Sequence, residues 1–287
     1  MHDGQLEVSI GLVRRLLAAQ VPELAAEPIR AVASTGTVNA LFRVGDRALA
    51  RLPIMREWSD PAAETATLAF VRARMSVRVP EVLLLGEPGA GYPKPWLLLD
   101  WIDGVPVAPG TGGVAMADGL AAFLDELWRL PVDGARAGYR AGLGPIDGAV
   151  RSSLAEAADL VDVDALLPLW DDALTAPAWD RAPRWTHSDL LAPNVLATPA
   201  GGLGAVLDWE AAGIGDPACD LMSAWSIVDA EGRSRLRDTL GLDDATWRRG
   251  RGWALAQAII ALPYYLHTNP GLVAHSRAVL GELVRTA

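Results

Sequence analysis

The stretch Trp185-Thr186-His187-Ser188-Asp189-Leu190-Leu191-Ala192-Pro193-Asn194-Val195-Leu196 places an acid, Asp189, a few residues ahead of an amide, Asn194. Downstream, Ala205-Val206-Leu207-Asp208-Trp209-Glu210 is a short apolar run ending in acids. Phosphoryl transfer needs such a set. One carboxylate orients an attacking hydroxyl and takes its proton, while a pair of oxygen ligands holds Mg²⁺ against nucleotide phosphates. Pro193 and the absence of helical periodicity predict a rigid loop, which suits positioning. The plainer reading of the same residues is a capped loop followed by a surface acid.

Other chemistries find less support. Lys94 follows Pro93 and not a glycine, so no Walker phosphate loop exists. Gly213-Ile214-Gly215-Asp216-Pro217-Ala218 fits a loose G-x-G-x-x-A, but Asp216 and Pro217 look like an N-cap and first-turn proline opening a helix. Ala218, Leu221, Met222 and Trp225 then recur with helical spacing as a core-facing stripe. His2, His187, His267, His275 and the single Cys219 lack metal-ligand spacing, which argues against zinc. There is no Gly-x-Ser-x-Gly, and His187-Ser188-Asp189, being chain neighbours, cannot line up as a triad.

The elements that must position these residues follow from patterning. Residues 6–20 carry Ile10, Val13 and Leu17 on one helical face. Short strands are expected at 29–34, 40–45, 47–52 and 82–86, with a buried strand at Trp96 to Trp101 whose tryptophan is read as core. A helix near 61–74 presents Glu64, Leu68 and Val71 together. After the Pro106 to Gly113 loop the pattern is mostly helical, interrupted by a loop-and-strand island at 185–208. The simplest parse is a β-rich N-terminal lobe, 1–102, and a larger helical lobe, 103–287.

The chain has 287 residues, 51% of them hydrophobic and 21% charged, which suits a folded globular protein of about two domains. Its formal net charge of −10 disfavours nucleic acid and anionic lipid as partners. One cysteine permits no internal disulfide, and the apolar run Ala254 to Leu266, broken by Pro263, is too short to span a bilayer. A cytoplasmic protein without a membrane partner is expected. Lys94 is the sole lysine, so any step that needs a lysine must use it or substitute arginine.

With these residues in view, the chain resembles the aminoglycoside phosphotransferase family, relatives of protein kinases. The family's catalytic loop His-x-Asp-x-x-x-x-Asn is met by His187, Asp189 and Asn194, its metal-binding acid by Asp208. Its following Gly-Asp-Pro-x-x-Asp-Leu is met by Gly215, Asp216, Pro217, Asp220 and Leu221. The likeness extends over nearly the whole chain and implies an α+β, bilobal, protein-kinase-like fold. It also implies roles: Asp189 as catalytic base, Asn194 and Asp208 as Mg²⁺ ligands, and His187 and Asp220 as braces of the loop. Ser188 stands where the family usually has glycine, which predicts an altered loop geometry.

The likeness extends to the N-terminal lobe. Ser34-Thr35-Gly36-Thr37-Val38-Asn39-Ala40 lies between two strands where a phosphate-covering loop belongs, with Ser34 and Gly36 as nucleotide contacts. Arg51 occupies the strand that carries the phosphate-binding lysine in kinases, a form similar to macrolide-phosphotransferase-like branches. Arginine offers a planar fork, so it can hold phosphate oxygens in a geometry of its own. An inward-facing Glu64 wants a cation, and Arg51 is the evident one. Leu98 to Gly104 would connect the lobes, with the Asp100 carbonyl and the Ile102 N–H meeting a purine of ATP or GTP.

The acceptor is expected beside Asp189. Glu156, Asp159, Asp162, Asp164, Asp171 and Asp172 form either an acidic rim for a cationic small molecule or a solvated helical face. Trp170, Trp179, Trp209, Trp247, Trp253, Tyr264 and Tyr265 are read mostly as core, and Glu210 as an acceptor contact. The expected activity is transfer of the γ-phosphate of ATP or GTP to a hydroxyl of a small molecule, foremost an antibiotic. The alternatives are a housekeeping small-molecule kinase and a silent nucleotide-binding regulator.

Overall fold

The computed structural model describes residues 5–34, 36, 38–55, 59–140 and 142–286. The chain forms two compact units, Met1–Arg74 with Arg78–Asp103, and Met75–Val77 with Gly104–Ala287. Thr35 and Thr37 of the expected phosphate-covering loop lie outside the described residues.

The first unit is built on a five-stranded antiparallel sheet in the order β1-β2-β3-β5-β4. These strands are β1 (Ile29–Ala31), β2 (Asn39–Val44), β3 (Ala48–Pro53), β4 (Val82–Gly86) and β5 (Trp96–Asp100). Helix α1 (Ile10–Gln20) lays Leu12, Val13, Leu16 and Leu17 against Phe42, Val44, Leu52 and Trp96. It starts at Ile10 and not at residue 6, because Ser9 is extended and its hydroxyl accepts from Leu12 N–H. Helix α2 (Pro61–Arg72) is opened by Asp60, whose carboxylate accepts from Ala63 N–H, with Pro61 in the first turn. Its buried face carries Glu64, Thr67, Leu68 and Val71.

The second unit begins at the two-residue β6 (Val105–Pro106), followed by α3 (Val114–Trp128), α4 (Asp147–Glu156) and α5 (Val163–Thr175). Then come β7 (Arg184–Thr186), β8 (Val195–Ala197), β9 (Leu203–Val206) and β10 (Gly213–Gly215). The chain closes with α6 (Ser223–Ser226), α7 (Ala230–Leu240), α8 (Asp244–Tyr265) and α9 (Pro270–Arg285). The expected island at 185–208 therefore has two further members, β6 pairing with β8 and β10 with β7. Asp216 caps as expected, accepting from Ala218 N–H, but it opens a tight 3₁₀ turn over Pro217–Met222 and not an α-helix. Its apolar residues are buried all the same. Among the described residues no helix is long and apolar enough to cross a membrane.

Two expectations about aromatic residues need correction. Trp101 is only half-buried: its Nε1 donates to Asp103 and the Arg43 guanidinium lies 4.4 Å from its ring centroid. Trp170, Trp209 and Trp253 are core, whereas Trp179, Trp247 and Tyr265 are half-buried and Tyr264 is exposed.

Candidate active site

Strand β7 delivers the chain to His187, and β10 pairs beside it, Thr186 opposite Gly213. Residues 136–138 line the free edge of β10, with Gly138 N–H donating to Ile214 C=O and Ile214 N–H to Arg136 C=O, each at 2.9 Å. A Cβ on Gly213 would lie 2.6 Å from the Gly138 nitrogen, so the two backbones touch because residue 213 has no side chain. The Gly-Ile-Gly run thus serves close strand packing.

From β7 the chain passes through Ser188 in the left-handed region, φ +66°. A residue with a Cβ pays on the order of 1 kcal/mol there. The surroundings fix it nonetheless. Asp220, fully buried, accepts from His187 N–H at 2.9 Å and from Ser188 N–H at 2.8 Å. The Ser188 hydroxyl is 2.9 Å from that of Thr186. His187 accepts from Asp189 N–H at Nδ1, which leaves Nε2 to donate to Leu207 C=O at 2.9 Å. Its ring stands edge-on to Trp209, 4.9 Å between centroids.

Asn194 ends a short turn and spends its amide nitrogen on Asp189, 2.9 Å from the backbone carbonyl and 2.9 Å from Oδ2. Asn194 C=O accepts from Leu207 N–H at 2.8 Å. Leu207 is therefore tied at both ends, to Asn194 and to His187, and Asp208 follows at once with φ +58°. The β8–β9 hairpin makes this return possible. Asp189, Asn194 and Asp208 are brought together by hydrogen bonds of the backbone that carries them.

The Asp189 side chain keeps 31% of its surface exposed. Loss of hydration pushes its carboxyl above the usual range, Arg140 pulls it down, Asp208 pushes it up, and His187 and Asn194 pull it down. Burial likewise pushes Asp220 up, with His187 opposing it.

Arg140 is the residue that the sequence did not disclose. Its Nε donates to Ser188 C=O, and its Nη2 lies 3.4 Å from Asp189 Oδ1 and 2.6 Å from Gln257 Oε1. It sits in an irregular segment with no motif around it, so no signal marked it.

Magnesium is the ion that the family likeness implies, and the donor set fits it. With its nitrogen engaged by Asp189, Asn194 would offer its side-chain oxygen to such an ion, and Asp208 would add a carboxylate. Such hard oxygen ligands suit a cation shared with phosphate.

In the first unit, Arg51 on β3 and Glu64 on α2 form a buried ion pair, 6% and 1% exposed. Ser34 Oγ accepts from Gly36 N–H at 2.9 Å, and both residues are exposed. Asp100 ends β5; its carboxylate accepts from Glu81 N–H and pairs with Arg78 at 2.7 Å, while Ile102 follows, half-buried. Lys94 donates to Met55 C=O at 2.6 Å. Half of the acidic rim is engaged within the fold. Asp171 pairs with Arg151, Asp172 with Arg248 and Arg251, and Asp162 caps α5, which leaves Glu156 and Asp164 exposed on helices and Asp159 exposed in the turn after α4. Glu210 is half-buried, its backbone carbonyl accepting from Arg136. Burial raises the Cys219 thiol well above its usual range, consistent with inert packing.

The profile of the phosphotransferase enzyme family (APH) matches residues 31–253, well over half of the chain. The chain belongs to this family. It is an enzyme, a small-molecule O-phosphotransferase, which removes the reading as a silent regulator. Among curated proteins the phosphotransferase is similar to a thiamine kinase of Salmonella typhi, 29% identical over 212 residues, 70% of this chain and 69% of that one. Among solved structures it is similar to the GDP and kanamycin complex of APH(2")-IIia, with a TM-score of 0.72 at 18% identity, covering 96% and 98% of the two chains. It is also similar to the macrolide 2'-phosphotransferase MphH from Brachybacterium faecium, with a TM-score of 0.62 at 20% identity, over 96% and 98%. These likenesses show the protein-kinase-like fold.

Proposed function

We propose that the enzyme transfers the γ-phosphoryl group of ATP or GTP to a hydroxyl of a small molecule carrying at most one positive charge. The observation that carries this reading is the tie of Asp189 Oδ2 to Asn194, beside a turn that holds Asp208 through both ends of Leu207. Asp189, reachable from solvent, orients the acceptor hydroxyl and takes its proton as the oxygen attacks in line. His187 and Asp220 hold the loop in its left-handed turn. Asn194 Oδ1 and Asp208 would hold Mg²⁺, which when bound neutralises charge on the nucleotide phosphates. Arg51, fixed by Glu64, binds phosphate oxygens, with Ser34 and Gly36 as further nucleotide contacts; the Asp100 carbonyl and Ile102 N–H take the purine.

The limit on acceptor charge rests on electrostatics. A guanidinium, Arg140, lies 3.4 Å from the base, and Asp171 and Asp172 are engaged by arginines. A polycation would meet this guanidinium beside the base, and half of the rim acids are already engaged within the fold. The sequence likeness to a thiamine kinase, a protein acting on a small alcohol, supports the same class. A second reading, inactivation of a macrolide, is favoured by Arg51 in place of lysine and by the fold shared with MphH. A panel of thiamine, a macrolide, kanamycin and simple amino alcohols, read by product mass with MgATP and MgGTP, tests both. Phosphorylation of thiamine or another low-charge alcohol is expected, and phosphorylation of kanamycin alone would refute the limit.

A further inference from the structure

We propose that Arg140 is a positioning residue for the base, acting through the single peptide that joins Ser188 to Asp189. The inference rests on Asp189 being that base. The peptide is held at both ends by side chains from different parts of the chain: its C=O accepts from Arg140 Nε, and its N–H donates to His187 Nδ1 at 3.3 Å. Because Ser188 sits in the left-handed region, release of its carbonyl frees this peptide to rotate toward backbone that a serine prefers. Rotation there would swing Asp189 away.

The same guanidinium reaches beyond the peptide. Asn194 holds Asp189 Oδ2 at 2.9 Å, and Arg140 Nη2 stands 3.4 Å from Oδ1, longer than a tight hydrogen bond. That spacing orients the carboxylate and leaves Oδ1 with capacity for an incoming hydroxyl. Arg140 is itself immobilised. Its Nη2 donates to Gln257 on α8 at 2.6 Å, its guanidinium carbon lies 5.2 Å from the Trp253 ring centroid, and its side chain is 9% exposed. The backbone that delivers it is fixed by the Gly138–Ile214 hydrogen bond and the glycine contact at Gly213. Lysine could replace it only in part, since one ammonium lacks the planar fork that serves a carbonyl, a carboxylate and an amide together.

The test compares Arg140→Ala, Arg140→Lys and Gln257→Leu with the parent by crystal structure, by MgADP affinity, and by phosphoryl transfer to the best acceptor of the panel, or to water where none reacts. Expected for Arg140→Ala are a displaced 188–189 peptide, MgADP affinity within about twofold, and kcat down by about 10²-fold with the nucleotide KM unchanged. Arg140→Lys should recover only part of kcat. Gln257→Leu, which keeps the charge but loosens it, should show a smaller loss in the same direction, and it carries the test if Arg140→Ala does not fold. An unmoved peptide with full kcat would overturn the inference. A moved peptide with full kcat would uphold the positioning and refute Asp189 as the base.

Discussion

The enzyme buries charge in two ways. In the first unit, Arg51 and Glu64 are each other's partner, two opposite charges on β3 and α2. In the second unit, Asp189 has no single partner: Asn194, Arg140 and the surrounding turn share it, and its side chain keeps 31% of its surface exposed. A mutually neutralised pair needs only two residues of the right type and can be foreseen. A carboxylate kept available for chemistry must be held incompletely by several groups, and those groups come from wherever the fold can bring them.

The largest expected effect breaks the first arrangement. Glu64→Ala removes the buried carboxylate that pairs with Arg51 and should cost about 3–5 kcal/mol in denaturant unfolding. Replacing both, Arg51→Met with Glu64→Leu, should restore most of that stability while nucleotide affinity falls with the loss of Arg51. If the double variant were as unstable as the single one, the pair would not be a self-contained unit.

A somewhat smaller effect probes what stands behind the catalytic loop. Ser226 Oγ accepts from Ala192 N–H and lies 3.4 Å from the ring of His275, which is 5% exposed and whose burial lowers its pKa to about 4. The folded state keeps this imidazole neutral, while an unfolded chain protonates near pH 6.5. Stability is therefore complete above about pH 6.5 and declines as pH falls toward 4, by about 3 kcal/mol in total. Thermal unfolding against pH should show that limb, and His275→Leu should flatten it. An unchanged limb in the variant would assign it to other groups.

The smallest effect concerns Ser188. Ser188→Gly removes the left-handed strain but loses the contact with Thr186, whereas Ser188→Ala loses the contact and keeps the strain. The glycine variant should be more stable than the alanine variant by about 1 kcal/mol, measured by thermal unfolding. Equal stability would mean that the surroundings, Asp220 foremost, had already cancelled the strain.

What the sequence disclosed follows the same division. The sheet, α2 and the loop from His187 to Asn194 were legible because periodicity, turn residues and fixed spacing are local signals. Strands β6 and β10 were not, since two or three residues carry no period and become strands only where a partner edge waits. The stretch at Pro217–Met222 has helical apolar spacing yet winds as a 3₁₀ turn, because burial on all sides asks only for apolar residues. Trp101 reads as core from its strand, but it lies beyond the end of β5 under Arg43. Asp171 and Asp172 look like a free acidic face until α4 and α8 bring arginines to them. Arg140 was out of reach for the same reason: its partners, Ser188, Asp189 and Gln257, come from distant parts of the chain.

The most direct measurement is the Asp189→Asn variant, assayed for phosphoryl transfer and titrated with MgADP. Asparagine preserves size and can still meet Asn194, but it cannot take a proton. Turnover should fall by about 10²–10⁴-fold with MgADP affinity and melting temperature close to the parent. Retained turnover, or loss of turnover and nucleotide affinity in equal measure, would contradict the assignment of this carboxylate as the group that receives the acceptor's proton.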